Sequence, residues 1–189
     1  MHEGDYQLPI PIVTERLVIR QAVRTDMEEW SALYGNPKVR QYLNGPLNRS
    51  AQAWWNGQQP LLANVDQALS VVLSATNEFV GTCGFFKTEQ LGEWEAWVQL
   101  RTSFWGKAIG TETTLALMRV AFKSLAAERV VGLVDPANVA SINMIEKLGF
   151  VFIREYAGKS LWQSGHHVYG VERLKDDRAV DQTLPDKTP

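Results

Sequence analysis

The sequence predicts an α/β (α+β) fold built on a mixed, mostly antiparallel sheet that helices cover. Three strand-like runs follow one another at residues 68–74, 79–87 and 93–100, and short turn signals between them indicate an antiparallel meander. The chain then continues as helix, strand and helix over residues 109–148. Because such a crossover joins parallel neighbours, the sheet is expected to be mixed.

The first half of the chain predicts one strand and three short helices. Residues 14–22 are expected to form a strand with Leu17 and Ile19 on one face. The sequence T-D-M-E at the start of residues 25–34 matches a capping box and predicts a helix. A second short helix is expected over residues 37–43, and Ser50 is expected to cap a third that contains two tryptophans.

The second half of the chain has stronger helical and strand patterns. Apolar residues recur at helical spacing after Gly110 and predict a long helix. The members of this stripe are Leu115, Met118, Phe122 and Leu125. The remaining elements are expected as a strand, a helix and two strands, at residues 129–134, 138–148, 150–156 and 166–174.

Length and composition indicate one globular domain between two terminal segments. The chain has 189 residues, of which 45% are hydrophobic, and this is enough for a substantial core. Residues 1–12 are expected to form an N-terminal arm and residues 13–174 the domain. The charged residues 175–189 are expected to be disordered.

Several function classes are not expected from composition. A net charge of −2 gives no basic field for nucleic acid. The single cysteine, Cys83, excludes an internal disulfide and is expected to be buried. Of the three histidines, one lies near the N-terminus and two are adjacent, and this arrangement predicts no metal site. The N-terminus does not resemble a signal peptide and no apolar run is long enough for a bilayer, so a cytoplasmic protein without a membrane partner is expected.

The start of the long helix is a candidate phosphate site. Residues 106–111 include a lysine, two glycines and an alanine, and a helix N-terminus leaves N–H groups unpaired and carries partial positive charge. The sequence lacks the Gly-Lys-Ser/Thr of a Walker loop, and it lacks the third glycine of a dinucleotide-binding loop. On these residues alone, a tight turn with no ligand remains an equal alternative.

Three motifs, taken in order, resemble one family. Residues 14–20 read T-E-R-L-V-I-R, residues 105–113 read W-G-K-A-I-G-T-E-T, and residues 138–150 read N-V-A-S-I-N-M-I-E-K-L-G-F. In these motifs the chain resembles the GNAT superfamily of N-acetyltransferases and, more narrowly, its RimJ/RimL-like type, the ribosomal-protein alanine acetyltransferases. The resemblance covers residues 12–174. It implies the GNAT fold, with helices on both faces of a sheet whose fourth and fifth predicted strands splay apart.

The resemblance also implies acetyl-CoA as the cofactor, with CoA as the product. A strand end would pair with the amide-rich pantetheine arm, the helix entrance would cradle the pyrophosphate, and two asparagines would complete the pairing. The residues implied are Val98, Gln99, Leu100, Trp105, Gly106, Lys107, Ala108, Ile109, Gly110, Thr111, Asn138 and Asn143.

Two positions depart from the family pattern. Ala108 occupies the place of the usual central glycine in the pyrophosphate loop, which narrows the approach of the phosphate by one methyl group. Ile145 stands where many superfamily members have a tyrosine that protonates the departing thiolate. The RimJ/RimL-like type often lacks that tyrosine, and this directs attention to Ser141.

The expected reaction is direct attack of an amine on the thioester within a ternary complex. Glu95, aligned with a family glutamate, is the first candidate for the base, with Glu93 or a water molecule as alternatives. Ser141 is the candidate proton donor to the thiolate. The backbone N–H of Leu100 or a neighbour is expected to stabilise the oxyanion.

The sequence leaves the acceptor amine open. A protein N-terminus and a small amine are both compatible, and so is a homodimer. Trp97 replaces a smaller family residue, and an aromatic acceptor pocket is one interpretation of the tryptophans Trp30, Trp54, Trp55, Trp94 and Trp97. Two other classes of protein stay open, a non-catalytic acyl-CoA-binding regulator and a structural interaction domain.

Overall fold

The computed structural model describes residues 8–58, 68–87, 93–156 and 165–173. Within these ranges the chain forms eight strands and four α-helices. The strands are β1 (Ile12–Val13), β2 (Leu17–Gln21), β3 (Ala68–Leu73), β4 (Phe79–Lys87), β5 (Trp94–Leu100), β6 (Arg129–Val134), β7 (Val151–Glu155) and β8 (His167–Glu172). The helices are α1 (Met27–Gly35), α2 (Ala51–Gln58), α3 (Ile109–Ser124) and α4 (Val139–Lys147).

All eight strands lie in one sheet, in the order β1-β2-β3-β4-β5-β6-β8-β7. The β5–β6 pair is parallel, and the other neighbouring pairs in the described ranges are antiparallel. Helix α3 forms the crossover between β5 and β6, as parallel neighbours require. The predicted mixed, mostly antiparallel fold is confirmed.

The sheet opens between β5 and β6. Only two positions of this pair are in register, Trp94 with Val130 and Glu95 with Val131. Beyond them, β5 pairs with β4 alone as far as Leu100, while β6 pairs with β8. The predicted splay is therefore present, and it leaves one backbone edge of residues 96–100 without a strand partner.

The two larger of three apolar clusters cover the two faces of the sheet. The larger lies under α3 and α4 and contains Phe85, Trp94 and Leu117. The smaller lies under α1 and α2 and contains Trp30 and Trp54. Because successive side chains of a strand point to opposite faces, β5 sends its even-numbered residues to the larger cluster, and Glu95, Trp97 and Gln99 point the other way.

Two of the predicted helical features are wrong. No side-chain cap forms at the start of α1; a 3-10 turn precedes the helix, and the Asp26 carboxylate accepts the Val23 N–H at 3.0 Å. Residues 37–44 form successive turns instead of a helix, because the buried Arg40 guanidinium donates hydrogen bonds to the backbone carbonyls of Leu43 and Gly45. By contrast, Ser50 does cap α2, since its hydroxyl accepts the Ala53 N–H at 3.2 Å.

The remaining expectations about segments divide between described and undescribed residues. Cys83 is buried, as predicted. Leu8 is buried and Ile12 pairs with Ile19, so the described end of the N-terminal segment packs on the domain. The tail at residues 175–189 and the turn predicted at residues 90–92 lie outside the described residues. No helix in the described ranges is both long and apolar enough to cross a bilayer.

Candidate active site

A cleft opens where β5 and β6 diverge. Glu95, Val98 and Gln99 of β5 line it on one side, and Asn138 and Ser141 line it near the start of α4. Its lining comes from both faces of the sheet, because the gap between the two strands passes through the sheet. The structure thus brings together five of the residues that the sequence predicted for the site.

Glu95 is the buried acid of the cleft. Its side chain lies on β5 at the last paired position of the splay, and the residue is 3% exposed. No group in the described ranges donates a hydrogen bond to the carboxylate, and no cation is paired with it. Burial without a counter-charge raises the pKa of Glu95 to about 8, so its proton affinity is close to that of an amine.

Ser141 lines the same cleft from the N-terminus of α4. Asn138 is the N-cap of this helix, and its Oδ1 accepts the Ser141 N–H at 3.2 Å. This bond orients the first turn toward the cleft. The Ser141 hydroxyl makes no hydrogen bond within the described part of the chain, so it is available to a ligand.

Glu93, the alternative base, is already engaged. Its carboxylate lies 2.8 Å from Nη1 of Arg129, which also pairs with Glu172. Glu93 precedes β5 and does not line the cleft. A base needs an accessible lone pair near the reacting nitrogen, and this arrangement favours Glu95.

The predicted pyrophosphate loop leads into α3 through two left-handed residues, Gly106 (φ 71°) and Ala108 (φ 58°). A left-handed backbone costs a glycine little and an alanine about 1–2 kcal/mol. Among the described residues, none accepts a hydrogen bond from the N–H groups of residues 106–111. The loop therefore presents free backbone donors at the positive end of a sixteen-residue helix.

Neighbouring side chains hold this loop against the sheet. Trp105 is 46% exposed, and its Nε1 donates to the Leu100 carbonyl at 3.0 Å, so that carbonyl is already bonded. Lys107 lies with its Nζ 5.6 Å from the ring centre of Phe104. A Cβ on Gly110 would lie 3.0 Å from Sδ of Met144, so the small residue at this position lets α3 approach α4.

A profile of the acetyltransferase (GNAT) domain family matches residues 16–151, more than half of the chain. The chain belongs to the GNAT acetyltransferase family. The resemblance to the GNAT superfamily in the three motifs is confirmed, and the splayed cleft and the α3 loop of this GNAT protein lie inside the matched region.

A curated relative supports the same assignment, and solved structures share the fold. The chain is 30% identical over 144 residues to the uncharacterized N-acetyltransferase p20 of Bacillus licheniformis, covering 74% of this chain and 81% of that protein. A GNAT-family acetyltransferase structure from Bacillus anthracis superposes with a TM-score of 0.72 at 20% identity, over 85% of this chain and 97% of that one. Spermidine N-acetyltransferase from Vibrio cholerae, solved with CoA and spermine, superposes with a TM-score of 0.69 at 14% identity, over 83% of this chain and 94% of that one.

The structure of this GNAT protein separates the five tryptophans. Trp97 lines the cleft and stacks on Phe86, with ring centres 5.7 Å apart. Trp94 belongs to the larger core, and Trp30 is fully buried with its Nε1 bonded to Ser70. Trp54 and Trp55 pack with the smaller core and do not line the cleft. An acceptor pocket built from all five is therefore wrong, because most of them stabilise the two cores.

Some residues near the site were placed differently from expectation or were missed. Asn143 is exposed on α4 and does not line the cleft. Tyr42 and Leu43 line it from the turns after α1, and sequence reasoning missed them because this segment was predicted as a helix. Thr14 donates to the Glu112 carboxylate at 2.6 Å, which links two of the family motifs.

Proposed function

We propose that the protein transfers the acetyl group of acetyl-CoA to a primary amine by direct attack in a ternary complex. The observation that carries this proposal is the buried, unpaired Glu95 carboxylate at the splay, in a cleft that Ser141 also lines. A cleft that served only for binding would have no use for a buried acid without a partner, since burying it costs free energy.

Acetyl-CoA fits two features of the chain. The unpaired edge of β5 offers backbone groups of Val98 and Gln99 to the amides of pantetheine, as a neighbouring strand would. The free N–H groups of residues 106–111 suit the pyrophosphate. Bound there, acetyl-CoA supplies an activated acyl group in the form of a thioester.

Glu95 takes the proton of the attacking nitrogen in this proposal. A pKa near 8 matches the pKa of an α-amine, so proton transfer between the two is nearly balanced. Ser141 donates a proton to the departing sulfur, a role open to it because Ile145 offers no acidic group. Both a protein N-terminus and a small amine are compatible with this chemistry. The resemblance to the RimJ/RimL-like type favours a protein N-terminus.

The test is acetyl-CoA-dependent thiol release with a panel of primary amines, using Glu95→Gln and Ser141→Ala. We expect Glu95→Gln to lower kcat by about 10²–10⁴-fold while the Kd for CoA stays within about twofold. Glu146→Gln is the matched control, because Glu146 is exposed on α4 and does not line the cleft.

Two results would contradict the proposal. CoA binding without turnover on any amine would identify a non-catalytic acyl-CoA-binding protein. Absence of thermal stabilisation by acetyl-CoA would point to an interaction domain, because a ligand at a hundred times its Kd adds about 2.7 kcal/mol to the free energy of unfolding.

A further inference from the structure

The side of the cleft away from α4 is a wall of aromatic and apolar side chains, in which Nε1 of Trp97 is buried and has no hydrogen-bond partner among the described residues. Trp97 contributes its indole from β5, and Tyr42 and Leu43 contribute side chains from the turns at residues 36–46. The Trp97 ring is supported from behind by Phe86, at an interplanar angle of 19°. This wall lies on the same face of β5 as Glu95.

Arg40 holds this wall in place. The residue is 8% exposed, and its guanidinium donates to the carbonyls of Leu43 and Gly45 and, at 3.4 Å, to Oε1 of Gln99. Gln99 lies two residues from Trp97 on the same face of β5. A buried guanidinium is costly unless its donors are bonded, so these bonds lock the turns onto the strand that carries Trp97.

The cleft offers little to a second positive charge. Its acidic residues in the described ranges are Glu95, which the proposed reaction uses, and Asp135. Asp135 follows β6 on the α4 side and accepts the Ala137 N–H at 2.8 Å. The wall itself carries no carboxylate, so the second ammonium of a polyamine would find no counter-charge there.

We infer that the acceptor is a primary amine attached to an apolar or aromatic group, and that Trp97, Tyr42 and Leu43 select that group, with Arg40 as a positioning residue. The inference rests on the proposed function and names the acceptor class for the same site. The apolar group packs on the wall while its amine reaches Glu95.

The first test compares three acceptors with the wild-type protein: 2-phenylethylamine, ethanolamine and spermidine. We expect kcat/KM for 2-phenylethylamine to exceed that of either other amine by at least about tenfold, as burial of a ring on an apolar surface allows. Equal or better use of ethanolamine or spermidine would overturn this inference and leave the proposed function standing. No turnover with any amine would overturn both.

The second test separates the wall from its support. Tyr42→Ala is expected to reduce the preference for 2-phenylethylamine to below about threefold. Arg40→Met is expected to raise the acceptor KM about tenfold without changing the KM for acetyl-CoA, and Arg40→Lys to restore part of the loss. Lys38→Met, an exposed change in the same turns, is the control. An unchanged preference in Tyr42→Ala, whether or not the Arg40 variants fold, would overturn the inference.

Discussion

Arg16, which lies just before β2, binds Glu112 in the first turn of α3 through both its backbone and its side chain. The backbone N–H of Arg16 donates to Oε1 of Glu112 at 3.0 Å, and its Nε donates to Oε2 at 2.7 Å. The same guanidinium donates to the Lys107 carbonyl at 3.0 Å. Two motifs that lie about ninety residues apart in the sequence therefore meet at the proposed pyrophosphate loop.

Glu112→Ala is expected to weaken both the fold and the binding of acetyl-CoA. The change leaves donors of Thr14 and Arg16 without an acceptor, and we expect a loss of about 1–3 kcal/mol in the free energy of unfolding. Because the loop loses its anchor, the KM for acetyl-CoA is expected to rise severalfold. Urea unfolding and initial rates measure the two effects, with Glu146→Ala as the control. Unchanged affinity for acetyl-CoA would show that the loop holds its shape unaided.

Ala108→Gly is expected to stabilise the protein and to bind acetyl-CoA more tightly. The left-handed backbone at position 108 strains an alanine, and in the proposed binding mode its methyl group narrows the approach of the phosphate. We expect a gain of up to about 1 kcal/mol in stability. Ala126 has φ 51° and lies in the connection after α3, so Ala126→Gly should give the stability gain without the change in affinity. Equal effects of both variants on acetyl-CoA affinity would contradict the assignment of the loop.

Much of the fold follows from local patterns, and the exceptions are positions where a tertiary contact decides the conformation. The strands β3 to β6 and the helices α3 and α4 were predicted to within a few residues, because apolar periodicity and caps such as Asn138 act locally. The turns at residues 37–44 were not, because they depend on the burial of Arg40, whose guanidinium bonds to the nearby carbonyls of Leu43 and Gly45 and also to Gln99, which is distant in sequence.

For a related reason, part of the candidate site was predicted from the sequence and part was missed. The resemblance to the family identified Glu95, Asn138 and Ser141 as site residues, and all three line the cleft. The acceptor wall has no motif, because Tyr42 and Leu43 reach it from a separate segment. Composition alone could not separate Trp97 from Trp30, since burial in a core and exposure to a cleft suit the same side chain.

Asp26 is expected to make the protein acid-sensitive. Burial alone would raise the pKa of this carboxyl, but hydrogen bonds from Arg20, the Val23 N–H and Ser70 outweigh it and hold the pKa below the ordinary 3.8. Stabilisation from a lowered pKa is present above the unfolded value and is lost as the pH falls through the folded value.

Unfolding followed by circular dichroism below about pH 4 checks this expectation. Asp26→Asn is expected to lose about 3–5 kcal/mol at neutral pH, because Arg20 then lacks its partner in a largely buried ion pair, and to show a flatter acid profile than the wild type. Glu28→Gln, an exposed change on the next turn, should keep the wild-type profile. Parallel acid profiles for the wild type and Asp26→Asn would assign the acid sensitivity to other carboxyls.

Glu95 is expected to make activity and stability respond to pH in opposite directions. Its carboxylate must be free to accept a proton, so kcat/KM is expected to rise with pH and to level off above a pKa of about 8. The assay needs an acceptor amine whose own pKa lies well below neutral, so that the rise of kcat/KM with pH reports a group of the enzyme. Glu95→Gln is expected to abolish this rise.

The stability effect follows from the same proton. The folded protein keeps the Glu95 proton up to a pKa of about 8, whereas the unfolded chain releases it near 4.5. The contribution of the neutral acid to stability is therefore complete below about pH 4.5 and is lost as the pH rises toward 8. Glu95→Gln cannot ionise, so its stability relative to the wild type is expected to increase over this range while its activity falls. A constant stability difference from pH 5 to 9 in urea titrations would mean that Glu95 is ionised throughout, and the base would then have to be sought elsewhere in the cleft.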